Sequence, residues 1–433
     1  MNLKKILNNK VVKNAGWIVG GRLVNKVLAF LVGILTARYL GPSNYGLINY
    51  AAAYITFFAS VCTLGINSVI IKDFIDHPEE EGQAVGTTLV LRAVSSLLSA
   101  IMVVGLVAVV DRDELTTILV VALSSIGLAF QIFDTLNYWF QSRLQSKYCA
   151  IATVISHVGV SVYKIVLLVT GKDVAWFAVA TSVECIVEAV FLLLVYRKQG
   201  GPRFSFSGQK AKQLLTASSS FIVSGLMVSI YASTDKLMLK QMLDEVAVGH
   251  YSLAVSLSTT WAFVLQAVID SVYPSVIQSS SKGTEVFNRK NRQLYALVFY
   301  IAMFMALLIT VLAKPIVSIL YGEAYLPAVL PLRIVVWYTA FSYLGVARNG
   351  WIVCENCQRY LKYLYISSAL INVALNWVCI PLFGAPGAAL ASLVTQMSTT
   401  VFLPALIRPL RPNAKLMFEA VLLKDVLRNK KKE

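Results

Sequence analysis

The chain has 433 residues, of which 57% are hydrophobic and only 14% are charged, and its mean hydropathy is +0.69. Soluble domains carry about 25% charged residues, so this composition excludes an ordinary soluble protein. A net charge of +16 would suggest nucleic acid in a soluble chain. In a membrane protein the same excess reflects Lys and Arg in cytoplasmic loops, so we expect no nucleic-acid partner.

Long apolar runs recur along the chain, each able to cross about 30 Å of hydrocarbon as an α-helix. The runs are continuous rather than alternating, which favours helices over a β-barrel. We therefore predict an all-α polytopic membrane protein with twelve transmembrane helices. The predicted helices cover residues 14–38, 43–71, 84–110, 115–140, 148–171, 174–196, 213–240, 245–273, 292–314, 326–354, 360–382 and 385–408.

The distribution of Lys and Arg predicts the orientation. With the N-terminus in the cytoplasm, most of the cations outside the predicted helices fall in cytoplasmic segments. One connection, residues 72–83, is mainly acidic, but acidic residues contribute little to this rule. We expect both termini to be cytoplasmic.

The longest predicted connection is the basic stretch Arg197–Lys212, near the middle of the chain. It divides the sequence into an N-terminal lobe (1–196), a cytoplasmic linker (197–212), a C-terminal lobe (213–408) and a basic cytoplasmic tail (409–433). The lobes also resemble each other. Tyr45–Ala51 matches Val248–Ala254 at a spacing of 203 residues (45 to 248), which suggests the parallel repeats known in transporters.

Charged side chains inside the predicted spans are the strongest functional signal. A cation at a helix centre costs roughly 2.5–3.5 kcal/mol on insertion scales, so such residues must face protein or water. Seven cations lie there, namely Arg22, Lys26, Arg92, Lys164, Lys236, Arg333 and Arg348. Arg22 and Lys26 are one turn apart and repel each other, so together they favour an anion.

Polar residues at helical spacing accompany these cations, which predicts a shared aqueous cavity. The groups are Gln131, Asp134, Asn137, Tyr138 and Gln141; His157, Ser161 and Lys164; Glu184 and Glu188; Gln266 and Asp270; and Asn372 and Asn376. The alternative is structural, because Asn and Gln can join helices by hydrogen bonds. His157 can equally be a packed polar residue, and Arg348 with Glu355 a structural pair.

Enzyme signatures are absent from the sequence. It has no GxxxxGK[ST], HExxH or GxSxG motif, and Cys354-Glu-Asn-Cys357 lacks the second pair or the βαβ context of a metal or redox site. We therefore expect a transporter rather than an enzyme, with no cofactor and no bound metal.

Three stretches carry a family resemblance, namely residues 36–50, 235–254 and 372–392. Through them the chain resembles the Wzx-type polysaccharide flippases, of the superfamily that also contains multidrug extruders (MATE proteins) and the lipid II flippase. The resemblance implies a V-shaped, MATE-like bundle of two six-helix lobes with alternating access. It also implies a monomer without a cofactor, located in the bacterial cytoplasmic membrane, that carries an undecaprenyl-pyrophosphate-linked oligosaccharide for O-antigen, capsule or exopolysaccharide synthesis.

The resemblance further suggests roles for the charges in the spans. The cations would hold the pyrophosphate and acidic sugars; these are Arg22, Lys26, Arg92, Lys164, Lys236 and Arg333. Acidic residues would balance charge or couple transport to a proton or sodium gradient; these are Asp134, Glu184, Asp235 and Asp270. Membrane lipid and a polysaccharide polymerase are the other partners implied.

Two alternatives remain open at the level of sequence. A multidrug extruder of the same fold would carry cationic drugs and have a more acidic cavity. A membrane-embedded polysaccharide polymerase or glycosyltransferase would usually need a larger outer loop than the predicted connections provide.

Overall fold

The computed structural model describes residues 10–423, except for the side chains of residues 10–19, 22, 23, 68, 220, 223 and 224. The regular structure of these residues is helical. In the first part of the chain the α-helices are α1 Lys10–Thr63, α2 Asn67–Asp76, α3 Glu81–Val110, α4 Leu115–Phe130, α5 Asp134–Ser142, α6 Ser146–Thr170, α7 Val174–Lys198 and α8 Gly208–Met242. They are followed by α9 Glu245–Thr260, α10 Phe263–Ser279, α11 Thr284–Tyr321, α12 Val329–Ala347, α13 Asn349–Cys354, α14 Leu361–Phe383, α15 Ala385–Met397, α16 Leu403–Leu406 and α17 Arg411–Val421.

Within residues 10–423, ten helical segments are long and apolar enough to cross a membrane. The chain is therefore an all-helical, multi-span membrane protein. One of the ten, Val24–Thr63, contains a break at Gly41 (φ 68°, ψ 174°) followed by Pro42. Glycine tolerates this positive φ and proline disfavours helix in the residue before it, so the first two predicted helices adjoin here. Helix α8 is not among the ten, and it carries Asp235, Lys236 and Lys240.

Several predicted spans are interrupted rather than continuous, among them the fourth and the last. The fourth ends as α4 at Phe130, continues as a 3₁₀ turn at Gln131–Phe133, and resumes as α5. The last passes through a π-turn at Ser398–Phe402 between α15 and α16. Interruptions of this kind are common at functional positions in helices, and the first one places Gln131 and Asp134 at a break.

The segment predicted as a tail contains α17, followed by residues 424–433, which lie outside the described part. Helix α17 buries Leu416 and Met417 and leaves Phe418 exposed. Arg292 of α11 donates to Glu419 at 3.2 Å, which joins α17 to α11. The basic charge of this segment predicted a tail, but its apolar residues at helical spacing give α17 a face that packs against the protein.

The chain forms two compact units, Met1–Leu40 with Leu47–Ser233 (unit 1) and Gly41–Gly46 with Thr234–Glu433 (unit 2). The core of unit 1 includes Trp139, Phe140 and Tyr196, and the core of unit 2 includes Trp261, Tyr295 and Trp351. Many large apolar side chains remain exposed in both units, as expected for helices whose outer surface meets lipid rather than water.

A nine-residue strap, residues 199–207, connects α7 to α8 within unit 1. Its backbone runs along the start of α3, where Ser205 N donates to Gly82 O at 3.2 Å and Ser207 N donates to Thr87 Oγ1 at 3.0 Å. A Cβ atom on Gly86 would come within 2.4 Å of Ser205 O. Glycine at this position is therefore what allows the strap to lie so close to α3.

Candidate functional site

The most completely bonded buried carboxylate described here is Asp235 of α8, in unit 2, which is 7% exposed. Asn372 and Asn376 of α14 donate from Nδ2 to Asp235 Oδ1 at 3.0 and 2.6 Å. The hydroxyl of Tyr251 on α9 donates to Asp235 Oδ2 at 2.5 Å, and the Ser392 hydroxyl on α15 donates to the same oxygen. These five residues are named the Asp235 cluster.

Local sequence explains how four helices supply this cluster. Asn372 and Asn376 are one turn apart on α14, so both amides face the same neighbour. Gly384 (φ 65°) turns the chain into α15, and a Cβ on Gly387 would come within 2.1 Å of Cys379 O. The close approach of α14 and α15 permitted by Gly387 brings Ser392 to the same carboxylate as the two asparagines.

The chemistry of the cluster is that of a buried negative charge stabilised by neutral donors. Hydrogen bonds to a charged group contribute about 1.5–3 kcal/mol each, which offsets the cost of removing Asp235 from water. Asn376 Oδ1 lies beside the carboxylate, is buried and accepts no hydrogen bond. Carboxylate and amide oxygens are the ligand types that hard cations prefer. Within residues 10–423, no group of three or more His, Cys, Asp or Glu side chains is placed to hold a metal ion.

Unit 1 contains a second buried polar site around Arg92 of α3, which is 2% exposed. Its guanidinium donates to Asn67 Oδ1 and lies 5.8 Å from the centre of the Tyr138 ring. Arg92 Nε and Ser96 Oγ are buried and have no partner among the described atoms. Both residues line a cavity of about 10 Å³ that Asp134 also lines, which is enough for roughly one water molecule. Arg92 therefore keeps one donor available next to a carboxylate.

Further charges of unit 1 lie on α6 and α7. His157 Nδ1 is 3.0 Å from Glu184 Oε1, and Asn137 Nδ2 donates to Glu188 Oε1 at 3.3 Å. Lys164 is half-buried and within electrostatic range of Glu184. The structure thus brings together side chains from three of the predicted polar stripes in one unit.

Other predicted site residues lie elsewhere. Lys26 is exposed, and the side chain of Arg22 lies outside the described residues. Arg333 is exposed and donates from Nε to Thr310 O at 3.1 Å, near the start of α12. Asp270 is exposed and accepts from Gln266 at 2.8 Å, while Lys236 is half-buried beside Asp235. Exposed cations near a helix end can extend toward the membrane surface, which applies to Arg333.

Sequence reasoning did not select two of the residues that the structure places at buried polar positions. Tyr251 and Ser392 belong to the Asp235 cluster, and both lie inside stretches that carried the family resemblance (235–254 and 372–392). Arg348 is 2% exposed and donates to Thr399 O at 3.2 Å, so its partner is a backbone carbonyl rather than Glu355.

Cys357, the second cysteine of the CxxC, is buried, and burial raises the pKa of its thiol, as does Glu355 nearby.

Comparison with solved structures defines the class of fold. The chain is similar to the inward closed conformation of the lipid II flippase MurJ (TM-score 0.71, 13% identity, 95% of this chain and 92% of that chain). It is also similar to the inward-facing conformation of a multidrug resistance MATE family transporter of the MOP superfamily (TM-score 0.66, 16% identity, 90% and 94%). The fold is therefore that of the MOP superfamily, MATE-like and built from membrane-spanning helices.

Sequence comparison then gives the family. The sequence model described as "Polysaccharide biosynthesis protein" matches residues 11–280, and the chain belongs to this family. It is 17% identical over 397 residues to the "Putative O-antigen transporter" of Escherichia coli (strain K12), covering 89% of this chain and 93% of that protein. It is 23% identical over 356 residues to the succinoglycan biosynthesis transport protein ExoT of Rhizobium meliloti (strain 1021), covering 82% and 69%. The chain is a membrane transporter of polysaccharide biosynthesis and not an enzyme.

Proposed function

We propose that this chain is a flippase that moves a polyprenyl-pyrophosphate-linked oligosaccharide from the cytoplasmic to the outer face of the bacterial cytoplasmic membrane. The proposal is supported by membership of a polysaccharide biosynthesis family together with charges buried inside membrane spans, of which Arg92 is the clearest. The proposal includes twelve spans in two six-helix lobes, both termini in the cytoplasm, alternating access and function as a monomer.

Electrostatics explains why such a carrier needs these residues. A diphosphate cannot enter hydrocarbon unpaired, because burying an isolated charge is prohibitively costly. Lys and Arg replace the lost water, and a guanidinium can offer several donors to phosphate oxygens. Among the proposed substrate-binding residues (Arg22, Lys26, Arg92, Lys164, Lys236 and Arg333), Arg92 has the environment that supports the role best, since its Nε has no partner among the atoms that the structure describes.

The Asp235 cluster is our choice for the site that couples transport to an ion gradient. Its carboxylate is buried, its donors are neutral, and Asn376 Oδ1 is available to a cation. Binding of one proton or sodium ion would neutralise the only formal charge of the five residues. Asp134 and Glu184, both in unit 1, and Asp270 are the other acidic residues proposed for coupling or charge balance.

The test uses a strain that lacks its own flippase and therefore lacks surface polysaccharide. The wild-type chain should restore the surface glycan, and Arg92→Gln and Asp235→Asn should restore far less at equal membrane levels. Lys314→Gln, a change outside the proposed sites, serves as the control. Failure of the wild-type chain to restore the glycan when it is expressed with its own glycan-synthesis genes would overturn the proposal.

The MATE-like fold supports a second candidate, a multidrug extruder. The same strains distinguish the two, because an extruder would raise resistance to cationic drugs and leave the surface glycan unchanged. A polymerase would instead lengthen lipid-linked sugars when the purified protein is supplied with them.

A further inference from the structure

One face of α17 is packed on unit 2 and the other is exposed. The packed face includes Asn413, Leu416 and Met417, all of which are buried. The exposed residues follow one another every three or four positions, a spacing that places them on one side of a helix. They begin in the turn before α17 and end just after it, and they are named the α17 stripe: Arg408, Arg411, Lys415, Phe418 and Leu422. The stripe thus starts with three cations and ends with two large apolar side chains, which are 64% and 55% exposed.

The cations of the α17 stripe are not neutralised by the described residues of the protein. Glu419 is the only acidic residue between positions 406 and 423, and it accepts from Arg292 of α11 at 3.2 Å. None of the three cations forms an ion pair with a carboxylate of residues 10–423. Arg411 does donate from Nε to Ala405 O at 3.0 Å, but this backbone carbonyl carries no charge. Three positive charges therefore remain on one face of the helix, which favours an anionic partner.

Helix α11 indicates how deep α17 lies in the membrane. Residues 293–313 of α11 carry no charge and are enough to cross about 30 Å of hydrocarbon, so the hydrocarbon layer begins near Arg292. Helix α17 is attached at this level by two hydrogen bonds, from Asn413 Nδ2 to the Tyr295 hydroxyl at 2.7 Å and from the Tyr300 hydroxyl to Val421 O at 2.6 Å. Tyr300 lies further into the uncharged stretch than Tyr295, so the apolar end of the α17 stripe lies deeper than its cationic end.

We propose that the α17 stripe binds anionic phospholipid, with its three cations on the lipid phosphate and its two apolar side chains among the first methylene groups of the acyl chains. Charge at the level of the headgroups and apolar surface below it match a lipid at the membrane boundary. Phosphatidylglycerol keeps a net negative charge, whereas the ammonium group of phosphatidylcholine balances its phosphate, so the stripe prefers phosphatidylglycerol. An acidic protein would satisfy the cations alone, because it stays in water while the apolar end of the stripe lies below the membrane surface. Since α17 is bonded to α11, lipid bound here also holds this end of a membrane span at the surface.

The test is photo-crosslinking of the full-length protein in nanodiscs of phosphatidylcholine that contain no polyprenyl lipid. The probe is phosphatidylglycerol with a diazirine in its acyl chain next to the glycerol. Label should appear on peptides from residues 406–423, and unlabelled phosphatidylglycerol should displace it. Arg408→Gln combined with Lys415→Gln should weaken the apparent affinity of the probe by about fivefold for each cation lost. Arg197→Gln combined with Lys198→Gln removes the same charge from the exposed end of α7 and should leave labelling of residues 406–423 unchanged.

The unfolding midpoint in detergent checks that each variant is folded. Lys415→Gln alone repeats the test at an exposed residue that makes no described hydrogen bond, and Phe418→Ser, unlike Phe418→Leu, should also lower labelling.

Equal labelling of residues 406–423 by a phosphatidylcholine probe would overturn the proposal, because the face would then be a general lipid contact. A loss of labelling in the α7 control as large as in the α17 variant would overturn it as well, since the position of the cations would then not matter. Crosslinking of this segment to another protein in intact cells, without labelling by the lipid probe, would show a protein docking face instead. The readout is lipid labelling and not surface glycan, so its outcome is independent of the proposed function.

Discussion

Gly46 and Gly249 lie so close together in unit 2 that a Cβ atom on Gly46 would come 2.8 Å from the Gly249 nitrogen. The same Cβ would come 1.7 Å from Glu245 O, and a Cβ on Gly249 would come 2.1 Å from Pro42 O. Position 249 follows 46 by 203 residues, and position 245 follows 42 by the same 203. Gly46 packs against Glu245, and Gly249 packs against Pro42, which is the position equivalent to Glu245 in the first repeat. The same contact is therefore made twice, once in each direction.

The first prediction concerns this crossing. Gly46→Ala or Gly249→Ala should destabilise the protein by about 1–3 kcal/mol or more, because a methyl group cannot fit against backbone that has no room to move. The measurement is the thermal unfolding midpoint of detergent-purified protein. Gly33→Ala on the same long helix is the matched control, since nothing lies within 4 Å of its Cβ position. Equal midpoints for Gly46→Ala and Gly33→Ala would contradict the close packing described here.

The second prediction concerns the donors of Asp235. Asn376→Leu removes the donor at 2.6 Å and leaves the buried carboxylate short of one hydrogen bond. The loss should cost about 1.5–3 kcal/mol of folding stability. Adding Asp235→Asn should recover part of that stability, because the charge that needed the donor is gone. Val373→Leu, on the exposed face of α14, is the control, and an Asn376→Leu midpoint equal to that control would refute the prediction.

The third prediction concerns Lys210, whose side chain is 3% exposed and whose Nζ lies 2.8 Å from Asp73 and 2.9 Å from Glu80. Burial alone would lower its pKa, but the two carboxylates outweigh burial and raise the pKa of Lys210 above its ordinary value. A raised folded-state pKa gives stability that is complete below the unfolded value of about 10.4 and is lost as pH rises through the folded value.

Lys210→Met should accordingly unfold at a lower temperature than wild type across pH 6–9, by a constant margin, and the margin should shrink above about pH 10.4. Lys212 is an exposed cation two residues after Lys210, so Lys212→Met should have little effect on the unfolding temperature. If the difference in unfolding temperature between Lys210→Met and wild type changed between pH 6 and 9, Lys210 would be titrating in that range, which would contradict its raised pKa.

The fourth prediction concerns Glu81, which is 6% exposed at the start of α3. Its Oε2 accepts from Trp139 Nε1 at 2.9 Å and from Arg143 at 2.5 Å, and the Arg143 guanidinium lies 4.2 Å from the Trp139 ring centre. Glu81→Ala removes the acceptor of both donors, and losing one partner of a buried ion pair costs about 3–5 kcal/mol. Because Arg143 is 40% exposed, we expect a loss nearer to 2 kcal/mol, measured as folded yield and unfolding midpoint.

Glu79→Ala is the control for this change, since Glu79 lies in the same turn and is exposed. A Glu81→Ala protein as stable as Glu79→Ala would show that Trp139 and Arg143 find other partners.

Periodicity predicts which polar residues share a helix face. Asn372 and Asn376 do share one, and both donate to Asp235. Periodicity does not say which neighbour a face meets. Asp270 is therefore exposed and Gln266 half-buried, although their spacing looked equivalent to that of the clustered residues. The break at Gln131–Phe133 also escaped prediction, because no proline or glycine marks it.

The exchange of contacts at Gly46 and Gly249 resembles the self-complementary interface of a symmetric dimer, here drawn from a single polypeptide. Such a pattern is what duplication of an ancestral gene would leave behind. The equivalents of Asp235, Lys236 and Lys240 in the first copy are Val32, Gly33 and Ala37, which carry no charge. The two stretches related by this spacing therefore differ in charge, and the cations and the carboxylate on α8 have no counterpart at the matching positions of α1.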